Sequence, residues 1–313
     1  MRRALPWLLV VTAVVLLAAA EVLSAAGGPG FESSSLFIWA IAVVFGITGT
    51  LIARRQPANP IGWIFLAATV SAGVGALSGT YADYHVQTGD GSELLARIAA
   101  QYGEVSWMPF MLLPSTFLLA LFPDGRLLSR RWLPVAWCAG IGLVGGIVAG
   151  VLTPGPTQDH PQLTNPFGVD RAVSDPLNGL ALLLVAIGMV GSSVSLVLRF
   201  HRSRGVERLQ IKWLALAGVI AVITVVIGTV GYEKLGEGLA NVAMMGAVLG
   251  LPAAAGVAIL RYRLYDIDVV INRALVYGSL TALLALTYLG CVLLAQLVLE
   301  GVTEGSGLAV AAS

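Results

Sequence analysis

Only two of the 313 residues are cysteine. Both Cys138 and Cys291 fall inside apolar runs, where a thiol behaves as a small hydrophobe, so neither a disulfide framework nor a thiolate-held metal is expected. Histidine is as scarce, with three in the chain. His85 and His160 fall in polar connections beside Asp83 and Asp159 and read as solvated loop side chains; a metal there would need further ligands converging from separate loops. His201 lies in a basic stretch far from any second catalytic group. Charged residues make up 11% of the chain, against roughly one-quarter in soluble domains, and no hydrophilic stretch is long enough to build a water-facing domain. A glycine-rich phosphate loop, a zinc-protease helix and a nucleophile elbow are all missing. The expectation is a chain with no catalytic residues, no cofactor and no metal.

Apolar sequence fills the space. Hydrophobic residues are 57% of the total and gather in nine runs, at about 4–26, 36–53, 61–80, 107–122, 132–152, 177–198, 213–231, 239–260 and 274–299. A bilayer core about 30 Å thick is crossed by about 20 helical residues. The expected fold is therefore all-α, a polytopic helical membrane bundle forming one domain over 1–313. Trp7, Trp63, Trp132 and Trp213 mark one set of helix ends, and Trp39 and Trp107 the other, as amphipathic indoles do at membrane interfaces. The first run is longer than a signal-peptide core and is read as a retained helix. After the ninth run, Leu308-Ala309-Val310-Ala311-Ala312-Ser313 reads as the start of a truncated tenth.

Basic residues fall on alternate sides of these runs. Of 18 Lys/Arg, 15 lie in the first, third, fifth, seventh and ninth hydrophilic segments, leaving Arg97, Arg171 and Lys234 for the others. Of 17 acidic residues, 13 fall on the opposite side. Cytoplasmic segments retain positive charge, so the N-terminus is expected inside and the C-terminus as given outside. Anionic inner-leaflet lipid is the natural partner of such a face; nucleic acid is not needed to explain it.

Ionisable groups in a bilayer are costly and mark function by default. Glu21 is the one charge within a run, near the outer end of the first. Asn241 and Gln296 are the other polar candidates, both read as interhelical hydrogen-bonders. A proton- or ion-coupled pump would need a chain of such groups, and their scarcity argues against one. On the basic side, Arg202, Arg204, Arg208, Arg261, Arg263, Asp266, Asp268 and Arg273 are candidates for lipid anchoring or signal relay. Gly142, Gly146 and Gly150, and again Gly246 and Gly250, repeat at the four-residue spacing that lets helix backbones approach closely, either within the molecule or across a homodimer. Residues 92–99 carry apolar positions at helical spacing, suggesting a short interfacial helix. Residues 153–176 are aperiodic, and read either as a lid over a ligand site or as plain connection.

The basic corners carry distinctive sentences: Arg54-Arg55-Gln56-Pro57-Ala58-Asn59-Pro60-Ile61-Gly62-Trp63; Leu121-Phe122-Pro123-Asp124-Gly125-Arg126 with Ser129-Arg130-Arg131-Trp132; Arg204-Gly205-Val206-Glu207-Arg208-Leu209-Gln210-Ile211-Lys212-Trp213; and Arg261-Tyr262-Arg263-Leu264-Tyr265-Asp266-Ile267-Asp268 with Ile271-Asn272-Arg273. In this order they resemble the N-terminal membrane region of actinobacterial sensor histidine kinases and of related uncharacterised multipass proteins. The resemblance implies a sensory or signalling module in the cell membrane, with a kinase or a second copy as partner and an unknown ligand. No phosphoacceptor histidine or ATP-binding region matches, so kinase activity does not carry over. The alternative expectation is a passive transporter or channel-like permease. As turns, Asn59-Pro60 and Asp124-Gly125 read as helix boundaries.

Overall fold

The computed structural model describes residues 4–27, 33–235 and 237–260, all within one compact unit, Met1–Leu264. Their regular structure is helical, joined by turns and loops, with a single isolated bridge between Pro156 and Thr164 among the described residues. Helices are the economical answer for an apolar chain, because each satisfies its own backbone polar groups. In order they are α1 (Leu5–Gly27), α2 (Ser33–Arg55), α3 (Pro60–Thr88), α4 (Glu93–Leu121), α5 (Leu133–Leu152), α6 (Arg171–Arg202), α7 (Gly205–Leu235) and α8 (Glu237–Leu260).

The first six helices, α2 counted from Ser35, are long and apolar enough to cross a membrane. Among the described residues there are eight helices and six such spans; the expected count was nine spans over the whole chain. The runs at 213–231 and 239–260 are helical, as α7 and α8. The run at 274–299, the start of a tenth helix, Gln296, Arg261, Arg263, Asp266, Asp268 and Arg273 all lie outside the described residues.

Local chemistry sets the boundaries. Asn59 caps α3, its Oδ1 accepting from the Ile61 N–H at 3.1 Å, and Pro60 follows at the first helical position, where its missing N–H costs nothing. Gly89 ends α3 in the left-handed conformation, φ 74°. Ser92 caps α4. Nothing interrupts the chain after that cap until Pro109, so residues 92–99 are not a separate interfacial helix. They are the opening turns of a helix that continues to Leu121. Pro114 opens a π-helical segment, Pro114–Leu118, where Ser115 Oγ donates to Met111 O at 2.7 Å and Thr116 Oγ1 to Leu112 O at 2.5 Å. The hydroxyls bond carbonyls of the preceding turn, as Ser and Thr side chains do where a helix widens or bends.

Helix α3 packs against α1, α2 and α4; α5 pairs with α6, α7 with α8, and α8 lies against α2. The main core joins Ile41, Phe45 and Ile52 to Ile61 and Phe65, then to Leu118, Phe122, Ile211, Leu214 and Ile259. Phe45 and Phe65 meet edge to face, centroids 5.4 Å apart. Helices α5 and α6 bury their small residues. Ala139, Gly142, Gly146 and Ala149 of α5 and Ala181, Gly188, Ser192 and Ser195 of α6 are buried, with Ala139 against Gly188 and Gly142 against Ala181, while Leu182, Leu183, Val190 and Val197 are exposed. An apolar exterior around a smaller-residue interior suits lipid as solvent, since dispersion at close range holds such helices together. A Cβ added at Gly142 would fall 2.6 Å from Val185 N, and one at Gly188 2.6 Å from Ala139 Cβ. Gly150 abuts Val105 of α4 and Gly146 lies near Met108 and Ala181, so all three patterned glycines of α5 serve contacts within the molecule.

Candidate functional site

Two places gather polar side chains, one at each end of the helices. At the basic end, the corner after α2, the corner after α4 and the last turn of α6 interlock. Asn59 Nδ2 donates to Gln56 Oε1 at 3.0 Å and to the Pro123 carbonyl at 3.1 Å. Gly125 is left-handed, φ 73°, and a Cβ there would lie 2.5 Å from Pro60 Cδ and 2.6 Å from Asn59 Oδ1; conformation and contact both require glycine. Arg199 reaches in from α6, Nη1 donating to the Phe122 carbonyl and Nη2 to the Arg126 carbonyl at 2.5 Å. Its exposure is 6%. The Phe122 side chain sits in the main core with Ile61 and Ile211. A further tie runs from Gln210 Nε2 to the Ala258 carbonyl, 2.9 Å, joining α7 to the end of α8. Three of the four distinctive motifs are therefore in one packed cluster.

Arg199 was not among the expected site residues. Its neighbours in the basic stretch, Arg202 and Arg204, are exposed, whereas Arg199 is buried. Arg208 lies over the Phe200 ring, 5.0 Å from its centroid. The signal that finds Arg199 is its spacing: Gly188, Ser192, Ser195 and Arg199 fall on one face of a helix, the face that small residues mark as buried.

At the other end, residues 153–170 fold down onto α3 and α4. Arg97 Nε donates to the Thr164 carbonyl at 2.7 Å, Gln101 Nε2 to the Gly150 carbonyl at 2.8 Å, and the Gln158 N–H to Glu104 Oε1. Leu163 is buried against Ala82, Ala96 and Ala100. These ties show a stretch that is packed down and not slack, as either a lid or a plain connection can be. His160 is not a solvated loop residue either. It is 6% exposed, and its Nε2 lies 2.9 Å from Asp83 Oδ1. The aperiodic sequence concealed this, because the partner is on another element. The hydrogen bond to Asp83 raises the His160 pKa above its ordinary value; burial opposes this, and the charges of Asp83, Asp159 and Glu104 add to the rise. A histidine whose pKa is raised on folding contributes stability that is complete below its unfolded value of about 6.5 and is lost as pH climbs through the folded value. Proteolysis of the 153–170 segment should therefore be slower at pH 6 than at pH 8.5, after correction for protease activity. Asp83→Asn should abolish the difference; a difference that persists in that variant would sink this account.

Between this segment and the ends of α1 to α4 lies a cavity of about 570 Å³, within the range of small-molecule sites. Leu17, Ile41, Ala72, Gly75 and Ala76 line one part of it. Farther along the same helices it is lined by Glu21, Thr80, Asp83, Tyr84 and Gln87, with Asp159 contributed by the 153–170 segment. Trp39 and Phe110 also face it. Glu21 is thus neither a lipid-facing nor a free carboxylate: Trp39 Nε1 donates to its Oε1 at 3.1 Å. Asn241 lies in the second turn of α8. Among the described residues no three His, Cys, Asp or Glu side chains converge as a metal site would require.

Comparison with protein-family models, with curated proteins and with solved structures yields no match to this chain.

Proposed function

We propose that the chain is a membrane sensory or signalling module, without chemistry of its own, that takes up a ligand at the acidic end and presents its basic end to a cytoplasmic partner. The observation that carries the reading is the interlocked corner built by Asn59, Phe122, Gly125, Arg126 and Arg199. Buried carbonyls at turns need donors in any fold; here the donors come from another corner and from α6, which joins the turns to one another. Joined, they make one surface that moves as a unit when helices α3, α4 and α6 shift. The partner under this reading is a kinase or a second copy of the chain, and the exposed Arg202 and Arg204 hold the surface against anionic lipid, about 1 kcal/mol for each charge.

The rival is a permease. It is favoured by the cavity itself, since a vestibule with a packed core beyond it is also what an outward-open carrier presents. One preparation separates them: the full chain in liposomes, in a Cys138→Ser/Cys291→Ser background, with nitroxides at Arg130→Cys and Arg204→Cys. Before spin labelling, an impermeant thiol reagent should reach Arg204→Cys only from the side opposite that from which it reaches Gln158→Cys. Adding benzyltrimethylammonium, a small organic cation, should shift the nitroxide distance distribution without saturable uptake of the cation. Saturable uptake would establish the permease; an unchanged distance distribution with ligand bound would sink the sensory reading.

A further inference from the structure

The geometry points to the cavity between α1, α2, α3 and α4 as a binding site for an organic cation with an apolar body, such as a quaternary or substituted ammonium. The inference names the ligand class for the sensory reading above and rests on the same cavity, but not on any coupling to the basic end.

Three features of the cavity converge. The first is its graded lining along α3. Ala72, Gly75, Ala76 and Gly79 give way to Thr80, Asp83 and Gln87, so an apolar group is accepted at one end and a polar one at the other. With a rise of 1.5 Å per residue, this gradient runs over roughly 20 Å of helix. The second is the sign of the charge. Glu21, Asp83 and Asp159 all line the cavity, and no lysine or arginine does among the described residues. Protonated His160 offsets Asp83 alone, and it bonds that carboxylate from outside the lining. The third is aromatic: Trp39, Tyr84 and Phe110 face the same space, and ring faces attract cations most strongly where water is displaced. Trp39 does double duty, since its N–H holds the Glu21 carboxylate in place while its ring borders the cavity. An anionic ligand would meet repulsion from Glu21 and Asp159, and a neutral one would cover the half-buried Glu21 carboxylate without compensating its charge.

The lining also supplies a way to close the site without disturbing the fold. Gly79 borders the cavity, and a Cβ built there meets nothing within 4 Å. A larger side chain at this position extends into the space that a ligand would occupy, whereas at Gly75 it would strike Ser106.

The test is calorimetric titration of the full chain in an uncharged maltoside detergent with three probes of similar shape: benzyltrimethylammonium, its neutral carbon isostere neopentylbenzene, and benzenesulfonate. The cation should bind saturably at one site per chain. The isostere should bind about tenfold more weakly or not at all, and the sulfonate should not bind. Glu21→Gln, which keeps an oxygen for Trp39 to bond, should weaken the cation about tenfold, and Gly79→Leu should abolish its binding at unchanged thermal midpoint. Equal binding of cation and isostere, or full cation binding in Gly79→Leu, would overturn the assignment. Should Glu21→Gln fail to fold, the exposed Asp159→Asn carries the charge test in its place. Short-chain phosphatidylethanolamine and phosphatidylglycerol, added as competitors, identify the source: displacement by the first alone makes the ammonium a lipid headgroup, and displacement by neither leaves a soluble one. Cation binding without any change at the basic end would sustain this site while sinking the sensory reading.

Discussion

Arg199→Ala is expected to destabilise the solubilised protein by about 3 kcal/mol or more, the largest loss for any single arginine of the basic end. Two hydrogen bonds from a charged donor vanish together, each worth about 1.5–3 kcal/mol, and the carbonyls of Phe122 and Arg126 lose their partner in a cluster that holds Phe122 fully buried. Arg199→Lys should recover only part of this, because a compact ammonium does not span two carbonyls as a planar guanidinium does. Arg202→Ala and Arg204→Ala, both at exposed positions, should stay within about 0.5 kcal/mol of the parent. Thermal midpoints followed by tryptophan fluorescence give the ranking. If Arg199→Ala melts with Arg202→Ala, the corner does not depend on the guanidinium, and its role as the joint between motifs is wrong.

The second large effect belongs to the α5–α6 contact. Gly142→Ala and Gly188→Ala should each cost about 1–3 kcal/mol, as overpacking does, although alanine is the better helix former by about 1 kcal/mol. The reason is what the new methyl meets. At Gly142 it is the backbone of Val185 and Ala181; at Gly188 it is Cα, Cβ and N of Ala139. Neither is the far end of a flexible side chain that could swing away. The double variant should cost less than the sum, because helices already forced apart by one methyl give room to the other. Gly179, on the same helix α6 but with nothing near its Cβ, is the control, and Gly179→Ala should be neutral or stabilising. Equal midpoints for all three variants would show that α5 and α6 do not pack through these glycines.

The sequence alone determined that this is a chain of apolar helices, and it located most of their ends. Runs long enough to cross a bilayer, with 57% hydrophobic residues overall, leave no other way to satisfy the backbone. Asn59-Pro60 and Asp124-Gly125 act at short range, through a cap and a left-handed glycine, so they are legible from neighbouring residues and stand where expected. Glu21 stood out for a similar reason, as a lone charge in an apolar run. What it faces did not: Trp39 and Asp83 reach the same cavity from α2 and α3. His160 was misplaced, and Arg199 passed over, for the same cause. Each looks solvated beside its sequence neighbours, and each is buried by a partner 77 residues away, Asp83 for one and Phe122 for the other. A cap or a turn is decided within a few residues, whereas desolvation of a charge is decided by whichever distant helix lies against it, and only the tertiary structure says which helix that is.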